Sequence, residues 1–521
     1  MWLLKKKALF VVFLVFPLFY IAGIHAETLQ WRPFTLLRVE ESRYQEIALI
    51  SEGAHSFLYA GGRPLLFYPD PLKDERDVHI PISLHERPEK VLMISGSISL
   101  LKEYLKYPLK KVVLLEIDPV IIQLSTELLK EEDRRILDDP RLRIIIDDPR
   151  RFIRDCNERY DLIVLNSPEP LTALNARFYT EEFFNELKKI LDIRGMAVMR
   201  LPVSSGYISR PLQRLNGSIF NTLKAVFPYV YVSSEEYGLL IAGIMPVEIE
   251  PSLLKERFLR REVKVSYFEP SLFYDIFSPF KVERVIRRFS EVRDTNTDRR
   301  PSVYLYNLLF WAYSEAGFMR GLLDTPMTGV FITGLLILIP LLFLKKRFIL
   351  YTVYTTGYGT MAFSMIILLY YQILFGSLYE RIGLLSALFM LGLSAGSLAG
   401  SRIRASIRVL QAIDGGIVLM MVLSVHLLKA EPSFYLLNLI AGLLGGLQFS
   451  LSNTFLMEGE GSGKEQKLSG RLYAVDLAGS FGGAIVTTLF IVPWLGIINS
   501  ILAVGLVKFL STVLLLFYEK A

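Results

Sequence analysis

The chain has 521 residues, 52% of them hydrophobic, and its 58 Lys and Arg exceed its 52 Asp and Glu for a net charge of +6. That length is too great for one ordinary domain, and a lone cysteine, Cys156, excludes an internal disulfide and a cysteine-built metal cluster. The five histidines lack ligand spacing and the basic residues do not alternate with aromatics in one patch, so the sequence indicates no metal site and no nucleic-acid partner.

Lys5-Lys6-Lys7 precede an apolar run over 8–24 that ends in Ile24-His25-Ala26. This is the pattern of an export signal or a retained N-terminal anchor, assigned to 1–26, and both send the following residues outward. A small β domain is expected over 27–88, because 31–64 alternates apolar and polar residues around Gly61-Gly62. Residues 69–83 read as a loop running into a helix.

The stretch 91–118 reads as strand, small-residue turn, helix and second strand, closing on Glu116 and Asp118. That is the opening unit of a doubly wound nucleotide-binding fold, in which the acid after the second strand lies where a ribose diol would be held. The turn retains only Gly96 of a glycine-rich loop and places Ile98 within it. A working nucleotide loop and a closed structural turn both fit. Strand and helix then alternate through 119–246, with Gly195 read as a turn before a strand over 196–201, so a mostly parallel sheet is expected over 89–246. Ser95, Glu116, Asp148 and Asn166 gather at the carboxyl ends of its strands, where such sheets bind ligands. Residues 247–327 read as a connecting helical region, and the aromatic stretch 304–318 suggests a helix on a membrane surface.

A membrane domain is expected over 328–521, with seven spans near 328–344, 349–375, 382–400, 409–428, 434–457, 472–494 and 497–517. Its basic loops alternate: Lys345-Lys346-Arg347, then Arg402, Arg404 and Arg408, then Lys464, Lys467 and Arg471. They all lie inside only when the preceding domain lies outside. The expected location is therefore the cell (inner) membrane, with the domain extracytoplasmic and the C-terminus cytoplasmic. Gly392, Gly396 and Gly400, like Gly479 and Gly483, recur every four residues, a spacing for close helix packing. Asp414 and Asp476 are the acids within the spans; pairing with Arg408 and Arg471 would make them structural.

The segments 40–47 (EESRYQEI), 78–83 (VHIPIS), 114–119 (LLEIDP), 144–152 (IIIDDPRRF) and 166–184 (NSPEPLTALNARFYTEEFF), in this order, resemble the spermidine synthase (polyamine aminopropyltransferase) family. Residues 296–301 (NTDRRP), 381–397 and 470–485 resemble its bacterial members fused to transmembrane helices. The resemblance implies a methyltransferase-type Rossmann-like α/β domain behind a small N-terminal β domain, followed by an all-α multi-pass membrane domain. It also implies aminopropyl transfer from decarboxylated S-adenosylmethionine to putrescine. Gln45 matches a ligand-contacting glutamine, Glu116 the acid that grips the ribose and Asp148 the acid near the adenine, with Gly96 in the cofactor loop. The departures are Ile98 at the loop's acid and Asn166 with Glu169 in place of a D-x-x-D pair that holds the catalytic base. An amide cannot take the proton that a carboxylate takes.

Three functions compete on these residues. A binding or sensory module for a polyamine or other small cation fits the degenerate loop and the outward location, with no certain cofactor. An active aminopropyltransferase fits Gln45, Glu116 and Asp148. A transporter-like protein with an accessory domain fits the length of the bundle. The expected partners are the lipid bilayer, the small ligand and a second copy of the chain in a homo-oligomer.

Overall fold

The structure is a computed structural model that describes residues 35–61, 63–166, 170, 173–202, 208–235, 237–304, 306–307, 334, 348–376, 379–458 and 465–518. The expected signal or anchor, Glu169, most of 304–318 and the first expected span at 328–344, apart from Gly334, lie outside these residues.

Strands β1 (Thr35–Glu41), β2 (Glu46–Glu52), β3 (His55–Ala60) and β4 (Arg63–Tyr68) form an antiparallel meander in that order. Its inner residues Ile47, Leu49, Leu58 and Leu66 alternate with outward positions and join the core beneath. Helix α1 (Pro71–Leu84) follows, with Asp70 capping it by accepting from the Lys73 N–H at 3.1 Å.

The α/β domain contains β5 (Lys90–Ile94), α2 (Ser99–Leu105), β6 (Lys111–Glu116), α3 (Pro119–Leu128), β7 (Leu142–Ile146), α4 (Pro149–Asp155) and β8 (Tyr160–Leu165). It continues with α5 (Glu181–Ile190), β9 (Leu191–Pro202), α6 (Arg210–Val226), β10 (Tyr229–Val232) and β11 (Tyr237–Gly243). The sheet order is β10-β11-β9-β8-β5-β6-β7. The five strands from β9 to β7 are parallel, and β11 and β10 close the sheet antiparallel. Val91–Ile94 and Val112–Leu115 are fully buried, because helices cover both faces. The chain leaves β5 toward β6 on one side and later returns beside it as β8, so β5 marks the switch point where such sheets open a crevice. Gly195 lies inside β9 rather than in a turn before it. A Cβ there would come within 2.7 Å of the Tyr160 carbonyl oxygen, so the glycine serves the irregular β8–β9 register.

The described part of the expected connecting region packs on this domain. Helix α7 (Pro251–Leu259) places Leu254 and Phe258 in the core under α1, and α8 (Pro279–Ser290) places Val285 and Phe289 in the core beside α6.

Six described helices are long and apolar enough to cross a membrane. They lie in α9 (Phe348–Phe375), α10 (Tyr379–Gly400), α11 (Ile407–Leu427), α12 (Glu431–Glu458), α13 (Glu465–Val486, continuing as a π turn over Thr487–Ile491) and α14 (Val492–Tyr518). Backbones touch where glycine permits it. A Cβ at Gly392 or Gly396 would strike the carbonyls of Leu439 or Leu443, and one at Gly442 or Gly446 those of Phe389 or Leu393. Gly479 and Gly483 do the same for α13 against the Tyr354 and Tyr358 carbonyls.

The NTDRRP segment fastens the bundle to the domain. Asp298 accepts two bonds of 2.9 Å from buried Arg150, and Asn296 donates to the Tyr179 carbonyl at 2.9 Å. The Arg299 carbonyl then accepts from the Ile497 N–H at 2.8 Å, just past Gly496, whose φ of +76° bends α14. Phe490 and Trp494 join the apolar cluster of Val303 and Tyr306.

Candidate functional site

At the end of β5 the backbone turns through Ser95 (φ 56°) and Gly96 (φ 115°). A Cβ on Gly96 would lie 2.8 Å from Asn166 Nδ2, so this turn requires its glycine. Asn166 ends β8 directly opposite: its N–H bonds to the Ile94 carbonyl at 2.9 Å and its side-chain amide donates to the Ser95 carbonyl at 3.4 Å. Ile98 is turned into the core with 1% exposure.

Beside this turn lies a cavity of about 160 Å³ lined by Tyr44, Gln45, Gly61, Ser95, Glu116, Leu174 and Phe178. Glu116 is 3% exposed at the end of β6, and its Oε1 accepts from the N–H groups of Ile117 (2.8 Å) and Asp118 (3.2 Å). Burial outweighs those bonds and pushes its carboxyl up to about 7. Gln45 is brought here from the meander. Asp118 accepts from Ser42 Oγ at 2.6 Å, and Ser42 Oγ accepts from the Tyr44 and Gln45 N–H groups at 3.0 Å each. The Asp118–Ser42 link thus ties the small domain's turn to the sheet and fixes one wall of the cavity. Burial also raises Asp118, and burial followed by Asp148 and Asp118 raises Tyr44.

Asp148 is placed elsewhere. It caps α4 by accepting from the Arg150 N–H at 2.9 Å, and it pairs with the buried Arg177 guanidinium. A Cβ on Gly376, at the end of α9, would lie 3.2 Å from its Oδ2. Asp148 therefore lines a second cavity, of about 610 Å³, between the domain and the ends of α9, α10 and α12. Tyr44 and Ile117 line both cavities, so the two are neighbours across a shared wall.

On the other side of Gly96 a cavity of about 670 Å³ is lined by Asp70, Asp74, Asp77, Glu235, Arg76, Arg200, Ser97 and Asn166. Most of its acids are committed. Asp77 pairs with Lys73 and, at 3.0 Å, with Arg200; Glu235 pairs with Arg76; Asp70 caps α1. Asp74 differs: burial pushes it up to about 7, against weaker pulls from Ser99 and Lys73. The sequence reading missed Asp74, Arg76, Arg200 and Glu235, because no local motif joins α1, β9 and the turn before β11.

Residues 73–233 match the family model for the spermine/spermidine synthase domain. The polyamine aminopropyltransferase of Korarchaeum cryptofilum is 30% identical over 223 residues, 41% of this chain and 68% of that protein. The chain belongs to the spermine/spermidine synthase family. Polyamine aminopropyltransferase 2 of Aquifex aeolicus is 29% identical over 45% of this chain and 49% of its own length, and the enzyme of Saccharolobus solfataricus is 26% identical over 51% and 91%. Among solved structures, spermidine synthase from Thermotoga maritima aligns with a TM-score of 0.40 at 21% identity, over 48% of this chain and 87% of that one. A spermidine synthase with the transition-state analogue AdoDATO gives 0.42 at 20%, over 48% and 88%. In this synthase-family domain, then, Gln45 and Glu116 line the smaller cavity, Gly96 and Asn166 line the larger one across the Ser95-Gly96 turn, and Asp148 lines the one toward the bundle.

Proposed function

We propose that the synthase-family domain stands on the outer face of a membrane as a binding or sensory module. In this reading a nucleoside-type ligand occupies the Glu116 cavity, and a small, polyamine-like cation reaches Asp74 in the larger one. The observation that carries it is Asn166. Its amide holds the Ser95 carbonyl at the place where the family resemblance puts a proton-accepting carboxylate. The arginine pairs at Asp77 and Glu235 add support, since they leave few free carboxylates for a doubly charged diamine.

The orientation rests on where the domain meets the bundle. It contacts the turn at Gly376 and Tyr379 and the connection near Gly496. The arginine-bearing connections around Arg402 and Arg471 lie at the other end of these antiparallel helices. Basic connections favour the cytoplasmic side. Reporter fusions after Pro246 and at Ala521 test this, and a cytoplasmic signal at Pro246 refutes it.

The binding reading is tested by calorimetry on the full chain in detergent with methylthioadenosine, decarboxylated S-adenosylmethionine and putrescine in turn. Saturable binding without product supports it. Release of methylthioadenosine in the presence of putrescine replaces it with the second reading, an active aminopropyltransferase. Asp74 favours that second reading: a half-buried carboxyl titrating near neutrality in the same cavity as Asn166 has the chemistry of a general base.

A further inference from the structure

Inside the bundle Asp414, on α11, meets Lys508, on α14, at 2.5 Å, and both are fully buried. The sequence reading expected Arg408 as the partner of Asp414 and did not single out Lys508. The ammonium also donates to Thr356 Oγ1 at 2.6 Å and to the Thr352 carbonyl at 3.3 Å, both on α9.

A fourth helix closes on the same place. Leu410 packs in one cluster with Leu451, and α11 and α12 are antiparallel, so one turn farther on Asp414 and Gln448 share a level. A Cβ on Gly445 would lie 3.3 Å from Thr360, so one turn from there Gln448 also reaches the level of Thr356. Gln448 is fully buried and, among the described residues, neither of its amide atoms has a hydrogen-bond partner; the same holds for the Ser452 hydroxyl one turn away. Buried polar atoms left unpaired in a membrane interior are costly, and they mark places where water or a proton completes the network.

We propose that Asp414, Lys508, Thr356 and Gln448 form a proton-binding site in the bundle, in which the Asp414 carboxylate takes up a proton and its ion pair with Lys508 is dissolved. The exchangeable ligand is a proton rather than a metal cation, because the Lys508 ammonium already fills the cation position with three oxygens around it. The site lies seven residues into α11, about 10 Å from the end that carries Arg402, Arg404 and Arg408. Among the described residues, the groups around the pair are Thr352, Thr355 and Thr356 from α9 and Ser511 and Thr512 from α14, with Gln448 of α12 at the same level. Asp476, the other aspartate within the described spans, lies against Gly357 on the α9–α13 seam. This inference is independent of what the outer domain binds.

The test is infrared difference spectroscopy of the full chain in nanodiscs during a pH titration. A protonated-carboxyl band of a buried aspartic acid is expected on acidification, absent in Asp414→Asn. In Lys508→Met its midpoint moves up by about 1–3 pH units, because the counter-charge is gone. Should the single variants fail to fold, the paired Asp414→Asn, Lys508→Met chain removes both charges together and is expected to fold without the band. No carboxyl band in the native chain, or a band that survives Asp414→Asn, overturns the proposal.

Discussion

Glu116→Gln isolates the buried acid of the cavity proposed to take a nucleoside-type ligand. Burial raises this carboxyl from 4.5 to about 7. At about 1.4 kcal/mol per pH unit, that is about 3 kcal/mol against ionisation in the fold. The native state therefore keeps a proton between pH 4.5 and 7 that the unfolded chain has released, so this group's contribution is largest below 4.5, falls through that window and is flat above 7. Glutamine has no such slope. Hydrogen exchange of β5 and β6 in the full chain, at pH 5 and pH 8, is expected to show wild type losing about 3 kcal/mol of local stability relative to the variant. Methylthioadenosine is expected to protect wild type and to do so less below pH 7, where the carboxylate is lost. In Glu116→Gln its affinity falls about 10- to 100-fold, the loss of one charged hydrogen bond of about 1.5–3 kcal/mol. Parallel pH profiles, or equal protection of both chains by the nucleoside, would refute the assignment of Glu116 as the ribose-holding acid.

Other substitutions test other parts. If the second reading holds, Asp74→Asn lowers the rate of methylthioadenosine release by about 10²–10⁴ with little change in its binding, while Asn166→Asp raises it; steady-state kinetics separate the two. Arg150→Met leaves Asp298 and Glu186 without their buried cation and is expected to cost about 3–5 kcal/mol in chemical unfolding. Replacing Asp298 by Asn in the same chain restores part of it. Gly442→Val drives side-chain atoms into the Phe389 carbonyl, so α10 and α12 separate and the detergent-solubilised chain loses about 1–3 kcal/mol of thermal stability.

Local periodicity made much of this architecture legible. The buried strands announced themselves as short apolar runs, and the acid after β6 stands where the βαβ pattern put it. The glycines of α10 and α13 showed their packing role through spacing alone, because a helix repeats that face every turn. What escaped the sequence was long-range. Lys508 lies well inside the last span, and its partner is not visible until α14 is laid against α11. Asp148 reads as a pocket acid by position and does line the cavity toward the bundle, but its pairing with Arg177, distant in sequence, could not be read there. The arginines that neutralise Asp77 and Glu235 come from α1 and β9, and nothing in either segment says that they share a cavity. NTDRRP could be matched to a group of relatives, whereas its physical task, holding Arg150 and Ile497 at once, is visible only when the domain and bundle are together.

The shared wall at Tyr44 and Ile117 has a consequence for kinetics. If a molecule in the Glu116 cavity exchanges past that wall, it meets the ends of α9, α10 and α12. Its residence time is then governed partly by how firmly the bundle presses against Asp148 and Arg177. A bulkier side chain at Gly376 would press on Asp148, Arg177 and Leu174, the last a wall residue of that cavity, and so is expected to alter the dissociation rate without touching Glu116 itself.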